Sequence, residues 1–307
     1  MPGPVSRVVD ERAEEVGFGA LKRAAAAMSE GYREGRVSAL GRLTAAERTA
    51  AYLVTRMPAT YTAAYSVLGE VRTRLGNAPV ATILDVGAGT GAASLAAHQW
   101  YPEAAFTMLE RDSAFLEAAR GFLPDAAVLS ADATTLDPLP PHDLVMAAYS
   151  LGELAKPLAH RLWQAARVAL VVIEPGTPAG FSLVRAVRDQ LLAAGARMAA
   201  PCPAETACPV VHPDWCHFAA RVERSSLHRR LKDAQLNYED EKFSYIALTR
   251  NAVSLPEARI VRHPRYQPGL ITLEVCTPTG LHTERITKRT KDKFRAARKS
   301  AWGDVWG

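Results

Sequence analysis

Short, wholly apolar runs alternate with longer stretches of helical periodicity through the middle of this chain. ATILDVGAG runs into the helical TGAASLAAHQWY, and AAFTMLERD into SAFLEAARGFL. AAVLSADA, HDLVMAAYS and ALVVIEPGT repeat the buried-strand pattern, with LGELAKPLAHRLWQAAR and GFSLVRAVRDQLLAAGARM as the later helices. An uninterrupted apolar strand is buried on both faces, and helices between strands supply the covering layers. The pattern predicts an α/β fold, a parallel sheet with helices on both sides. Ahead of it, residues 10–76 carry apolar residues at helical spacing, as in AERTAAYLVTRMPATYTAAYSVLGEVRTRL, and predict a helical N-terminal region broken near Pro58.

The pattern changes at Ala199. Residues 200–242 hold three cysteines, several prolines and many charges, and read as an insertion. FSYIALTR and GLITLEVC then alternate like an antiparallel pair and are expected to be the last two strands of the same sheet. The chain divides on this reading into a helical region over 1–78, a domain over 79–280 that includes the insertion at 200–242, and a basic C-terminal tail over 281–307. An insertion of this size buries too little to fold unaided, so a metal centre would add the missing stability.

Composition narrows the class. With 48% hydrophobic and 22% charged residues among 307, the chain is neither disordered nor fibrous. No apolar run approaches the roughly 20 residues of a membrane helix, and MPGPVSRVVDERAEEVGFGA lacks the apolar core of a signal peptide. A cytoplasmic monomer with no membrane partner is expected. The formal charge of +5 is unevenly placed: residues 281–307 hold eight Lys and Arg against three acids, so the rest of the chain sums to zero. In KRTKDKFRAARKSAWGDVWG the cations surround Phe294, Trp302 and Trp306. Cations neutralise phosphates and aromatic rings stack on unpaired bases, which points to an RNA partner. Arg221, Arg224, Arg229, Arg230 and Lys232 are candidates to extend that surface.

The densest local motif is Asp85-Val86-Gly87-Ala88-Gly89-Thr90-Gly91, placed after a strand and opening a helix. Glycines allow a sharp turn and close approach of the backbone to a ligand, and a helix start offers free N–H groups. The stretch also satisfies the dinucleotide pattern with Ala92. Three acids favour S-adenosylmethionine. Asp85 can organise the loop and meet the cationic methionyl part, Glu110 can accept both ribose hydroxyls, and Asp132 can take the adenine amino group. A dinucleotide site explains Glu110 but does not call for Asp132. On the acceptor side, amino-group methyltransferases of nucleic acids carry Asn/Asp-Pro-Pro-aromatic after the fourth strand. Here that place reads Ala148-Tyr149-Ser150-Leu151-Gly152-Glu153-Leu154. Tyr149 and Glu153 are the catalytic candidates; a packed aromatic and a helix-start acid explain them equally. Glu174-Pro175-Gly176-Thr177-Pro178 either lines the pocket or makes a rigid turn.

Cys202, Cys208 and Cys216 lie close together in the sequence and Cys276 follows alone. Their spacing lacks the short knuckle usual for zinc. Irregular intervals and the pairs Cys202-Pro203 and Cys208-Pro209 favour a [4Fe–4S] cluster. His212 and His217 keep a Cys/His zinc site open, and Cys202 as a covalent nucleophile for cytosine methylation is a third reading. Small buried hydrophobes are the plainest alternative.

The chain resembles the Rsm-type methyltransferase-like family, mitochondrial small-ribosomal-subunit assembly factors and their bacterial relatives. The matching pieces are LDVGAGTGAAS, IEPGTPAGF, CPAETACPVVHPDWCHF, DEKFSYIAL and RAARKSAWGD, spread over residues 84 to 304. The resemblance implies a seven-strand methyltransferase-type fold, S-adenosylmethionine binding and association with small-subunit ribosomal RNA. It also implies an iron–sulfur cluster on Cys202, Cys208, Cys216 and Cys276. Two functional readings follow: an RNA methyltransferase, and a non-catalytic RNA-binding assembly factor with a structural cluster or zinc.

Overall fold

The structure, a computed structural model, describes residues 3–34, 43–153 and 158–307, with the backbone alone at 3, 4, 32–34 and 153. In chain order the helices are α1 (Gly3–Val16), α2 (Phe18–Glu34), α3 (Ala45–Thr55), α4 (Met57–Leu75), α5 (Ala92–Trp100), α6 (Ser113–Phe122), α7 (Ala159–Ala165), α8 (Pro178–Ala193), α9 (Ser226–Leu231) and α10 (Lys291–Ala297). The strands are β1 (Thr82–Val86), β2 (Ala105–Glu110), β3 (Ala127–Ser130), β4 (His142–Ala148), β5 (Ala166–Pro175), β6 (Arg197–Ala200), β7 (Phe218–Glu223), β8 (Tyr238–Thr249), β9 (Ala258–Ile260), β10 (Arg265–Gln267), β11 (Leu270–Thr277), β12 (Gly280–Thr287) and β13 (Val305–Trp306). They fall into two compact units. One is Met1–Leu68 with Ala81–Pro140 and Ala220–Glu241; the other is Gly69–Val80 with Pro141–Ala219 and Lys242–Gly307.

In the first unit β1, β2 and β3 run parallel in the order β3-β2-β1, with Thr82 opposite Ala105 and Thr107 opposite Ala127. α3 starts with a capping box: the Thr44 hydroxyl accepts from the Glu47 amide while the Glu47 carboxylate accepts from the Thr44 amide. The helix break expected near Pro58 falls at Arg56, because Pro58 sits in the first turn of α4, where an N–H has no partner to lose. Asp112 caps α6 through the amide of Ala114 and takes Arg48 of α3 at 2.5 Å with its other oxygen.

In the second unit the order is β4-β5-β8-β6. β4 and β5 are parallel, whereas β8 runs antiparallel to both β5 and β6, so the sheet is mixed. β5 is buried from Ala169 to Ile173 and β8 from Phe243 to Thr249, as a strand covered on both faces requires. β7 pairs with β8 off this path. β6 was not expected, because ARMAA continues the apolar pattern of the preceding helix; Gly195, at φ +89, ends that helix and separates the two.

Two sequence expectations need correcting. GLITLEVC, as β11, does not pair with β8: it lies in a second, five-stranded sheet with β9, β10, β12 and β13. Its burial alternates strictly, the mark of a strand covered on one face. Residues 281–307, expected as a tail, are folded. β12 pairs with β11 along its whole length, and β13 pairs with β9. Ile286, Ala297 and Trp306 join Ile260, Ile271 and Leu273 in one core, against which Phe294 packs.

Candidate functional site

The glycine loop turns where a side chain would be strained. Gly87, Gly89 and Gly91 all have left-handed backbones, and a Cβ on Gly91 would lie 3.1 Å from that of Ala119. The amides of Gly87 and Ala88 donate to the Leu109 carbonyl, which pins the loop to the end of β2. Glu110 completes the pinning. One carboxylate oxygen accepts from the Gly89 amide at 2.9 Å, and the other from the amides of Arg111 and Asp112. Asp85 is buried at the end of β1. Its Oδ2 accepts from the Ser94 hydroxyl at 2.7 Å, while Oδ1 has no partner. Burial, partly offset by Ser94, pushes its carboxyl up to about 7. An orphaned buried carboxylate oxygen beside a glycine loop suits a cationic ligand group. Asp132 closes its own turn, accepting from the amide and hydroxyl of Thr134, with Arg111 at 3.9 Å.

The segment after β4 is braced from beneath. Tyr149 adopts φ +56, unusual for a bulky residue, and its amide donates to the Ile173 carbonyl. Glu174 is buried, and its carboxylate accepts from the Leu151 amide at 2.9 Å. A Cβ on Gly152 would meet the other Glu174 oxygen at 3.2 Å. Glu174 therefore supports this turn from within. The Glu153 side chain and residues 154–157 lie outside the described residues.

In IEPGTPAGF the two glycines answer close approaches. A Cβ on Gly176 would lie 2.7 Å from the backbone between Lys242 and Phe243, and one on Gly180 would lie 2.1 Å from the Pro175 carbonyl. Thr177 caps α8 and Pro178 fills its first turn. These residues make a tight strand-to-helix joint.

Among the described residues, no group of three or more His, Cys, Asp or Glu side chains is drawn together as a metal site. The four cysteines nevertheless border one cavity with about 740 Å³ of empty space, part of it open to solvent. Cys202 and Cys208 come from the loop after β6, Cys216 from the approach to β7, and Cys276 from β11. No histidine borders that cavity. His217 instead stacks on Trp215 and meets the Trp302 edge, which weighs against a Cys/His site. None of the four cysteines is in a disulfide. Burial, followed by their mutual repulsion as anions, pushes Cys276 up to about 12 and Cys216 further in the same direction. Burial raises Cys202 as well, against the charge of Arg188.

Buried arginines hold the cysteine loop by its carbonyls. Arg188 of α8 donates to Ala204 and Thr206, and Arg185 donates to Val210 at 2.8 Å. Arg259 of β9 donates to Pro201 at 3.0 Å and to Glu70 at 2.7 Å. Four thiolates around a dication or a [4Fe–4S] core with two positive charges leave a doubly negative centre, which buried guanidiniums offset. The all-sulfur donor set, the shared cavity and these cations fit such a centre. The sequence reading missed Arg188 and Arg259; their signal was a cation inside otherwise apolar helix and strand patterns.

The basic segment differs from its expectation in one respect. Trp306 and Phe294 belong to the core of the second sheet, and Trp302 lies between His217 and His263. None of these rings is a free stacking platform. The cations do face solvent: Arg285, Lys288, Arg289, Lys291, Arg298 and Lys299 are exposed. Arg221, Arg224 and Lys232, expected to add to them, are paired with Asp240 and Glu239.

A parallel α/β sheet with a glycine loop opening the helix after its first strand gives the first unit the architecture of the methyltransferase-like α/β class. Residues 46–307 match the family described as Rsm22, mitochondrial small ribosomal subunit Rsm22, and the chain belongs to that family. The human ribosome assembly protein METTL17, mitochondrial, is 27% identical over 83% of this chain and 61% of its own length. The Rsm22-cox11 tandem protein 2, mitochondrial, of Schizosaccharomyces pombe is 27% identical over 83% of this chain and 42% of its own length. The chain thus spans only part of the curated relatives it matches. Among solved structures, the plantazolicin methyltransferase BpumL in complex with SAH is 14% identical, with a TM-score of 0.42 over 80% of this chain and all of that one. Precorrin-6y C5,15-methyltransferase from Geobacter metallireducens GS-15 is 19% identical, with a TM-score of 0.40 over 60% of this chain and 86% of that one. Both curated relatives are mitochondrial by name, so they lend no weight to the cytoplasmic expectation. Among the described residues no helix is long and apolar enough to cross a membrane.

Proposed function

We propose that this chain assists assembly of the small ribosomal subunit by binding its RNA, carrying a [4Fe–4S] cluster and S-adenosylmethionine. The observation that carries the reading is the meeting of four cysteines, one of them distant in sequence, on one cavity braced by buried arginines. Cys202, Cys208, Cys216 and Cys276 are the ligands. The bound centre supplies a cross-link between the loop and β11, and Arg188 and Arg259 offset its charge. At the glycine loop, S-adenosylmethionine supplies an electrophilic methyl group. Asp85 Oδ1 receives the methionyl ammonium, Glu110 a ribose hydroxyl through the lone pair left on Oε2, and Asp132 the adenine amino group. RNA is held by the exposed cations of β12, α10 and their flanking turns. The compartment is that in which the small subunit it serves is assembled.

Anaerobic purification tests the cluster: a brown protein with about four irons per chain supports it. Stoichiometric zinc without iron moves the site to structural zinc, and neither metal ends both readings. Calorimetry tests the cofactor, and tight binding of NAD instead would overturn the assignment.

A specific observation favours the non-catalytic reading over the enzyme. The segment after β4 has no Asn/Asp-Pro-Pro-aromatic element, and Glu174 is spent on the backbone beneath it. Small subunits from a deletion strain that retain every methyl group of the parent support assembly without methyl transfer.

A further inference from the structure

One aromatic ring on the second sheet is not used by the core. Tyr266 of β10 is 57% exposed. It lies opposite Ile271, which lies opposite Ile286, so all three project from the face on which α10 packs. The Tyr266 hydroxyl donates to the Ser300 carbonyl at 3.2 Å, which fixes the ring beside the end of α10. Arg298 and Lys299 immediately precede that carbonyl. The Lys288 side chain lies 3.9 Å from the Cβ position of Gly269, in the turn between β10 and β11 that follows Tyr266. Lys288, Arg298 and Lys299 are exposed. Lys293 and Arg295, by contrast, are paired with Glu284 and Asp292. A tethered tyrosine with unpaired cations on the segments that adjoin it has the parts that bind a nucleotide: a π-face for the base and positive charge for its phosphates.

We infer that Tyr266, with Lys288, Arg298 and Lys299, forms a site for an unpaired nucleotide of RNA. The inference rests on the RNA-binding reading and adds the class of RNA element: a single-stranded loop or end, whose bases are free to stack. A base within a duplex is stacked on its neighbours and offers this ring nothing, whereas duplex phosphates still meet the cations.

The test uses the full chain with two fluorescent probes, a short oligouridylate and a fully paired RNA hairpin of matched length. Tyr266→Ala should weaken oligouridylate binding about tenfold, leave hairpin binding within about twofold, and leave the salt dependence of both unchanged, since no charge is removed. Tyr266→Phe keeps the ring and should restore most of the affinity. The paired variant Arg298→Gln with Lys299→Gln should weaken both probes and flatten both salt dependences. Equal loss for both probes in Tyr266→Ala, or no loss with the oligouridylate, overturns the stacking site while leaving RNA binding standing. A parent protein that binds neither probe overturns the RNA reading and this site with it.

Discussion

Arg259 and Cys276 are direct register partners in the antiparallel pairing of β9 with β11, so they project from the same face of the second sheet. Both border the cysteine cavity. The Arg259 guanidinium spreads over three acceptors: the Pro201 carbonyl at 3.0 Å, the Gly303 carbonyl at 2.9 Å and Glu70 at 2.7 Å. One side chain thereby fixes the start of the cysteine loop, the turn before β13 and the end of α4 relative to the strand that carries Cys276. Sheet pairing places the fourth thiol, and the arginine across from it places the loop that carries the others.

Arg259→Met should therefore destabilise the fold by about 2–4 kcal/mol. It strands two carbonyls and leaves Glu70 to Arg74 alone. Urea unfolding measures this directly. Arg259→Lys should recover less than half, because an ammonium cannot reach three acceptors in one plane. A loss below about 0.5 kcal/mol for the methionine variant would mean that the cysteine loop is held by other contacts.

Cofactor binding should depend on pH through Asp85. Burial raises its carboxyl to about 7, well above that of an unfolded aspartate. The folded, ligand-free chain thus holds a proton that the unfolded chain releases. Its contribution to stability is full below about pH 4 and declines as pH rises toward about 7. A cationic ligand favours the ionised form, so S-adenosylmethionine binding below about pH 7 should release a proton. Affinity should then rise by up to about tenfold per pH unit and flatten above that point. Calorimetry in buffers of different ionisation enthalpy counts the proton. Asp85→Asn should abolish both effects, and a flat profile in the parent would remove Asp85 from contact with the ligand's charge.

Gly176→Ala tests the joint between β5 and α8. The added methyl would lie 2.7 Å from the β8 backbone, which cannot move aside without breaking its pairing with β5. Overpacking of this kind costs about 1–3 kcal/mol. Thermal unfolding should show the loss, and an unchanged midpoint would mean that β8 shifts freely.

Much of this architecture was legible in the sequence. The strands from ATILDVGAG to ALVVIEPGT stand where apolar runs placed them, because a strand covered on both faces, as β1, β4 and β5 largely are, leaves little room for polar positions; β3, at the sheet edge, was expected buried and is at most half-buried. The pairing of GLITLEVC was misread for the same reason turned round. Both runs were read as alternating, but FSYIALT is buried at every position while the burial of LITLEVC alternates, and that contrast separates a buried strand of the first sheet from a one-faced strand of the second. The basic segment hid its fold because charges dominate its composition, while three well-spaced anchors, Ile286, Phe294 and Trp306, suffice to hold it. Cysteine identity was plain from sequence, but the arginine lattice behind it was not. A buried cation is recognised only by its acceptors, and most of these are backbone carbonyls that no side-chain pattern encodes.

Ligation and packing separate cleanly in the cysteines. Cys202→Ser and Cys276→Ser should each lower iron content and bring the thermal midpoint of the anaerobically purified protein down by several degrees. A centre bound only by the folded chain stabilises that state. In protein stripped of metal under reducing conditions, the same substitutions should shift the midpoint little, since a half-buried thiol and hydroxyl differ modestly there. Equal shifts in both preparations would show that these side chains matter for packing alone.

The salt dependence of RNA binding should follow the exposed cations rather than the segment as a whole. Deleting residues 285–307 would remove the last three residues of β12, with α10 and β13, and with them Ile286, Phe294, Ala297 and Trp306 from the second core. Such a deletion unfolds the sheet, and weaker binding would then say nothing about charge. Replacing Arg285, Lys288, Arg289 and Lys291 together by glutamine leaves that core intact, because all four side chains face solvent. Stability should stay within about 0.5 kcal/mol of the parent. Each phosphate that is no longer neutralised should reduce the slope of log affinity against log salt by about 0.7 to 0.9, so the quadruple variant should show a slope shallower by up to about 3 to 4 units. Fluorescence anisotropy across a salt series measures it. A slope equal to the parent's, in a variant of unchanged stability, would move the RNA-binding surface off this segment.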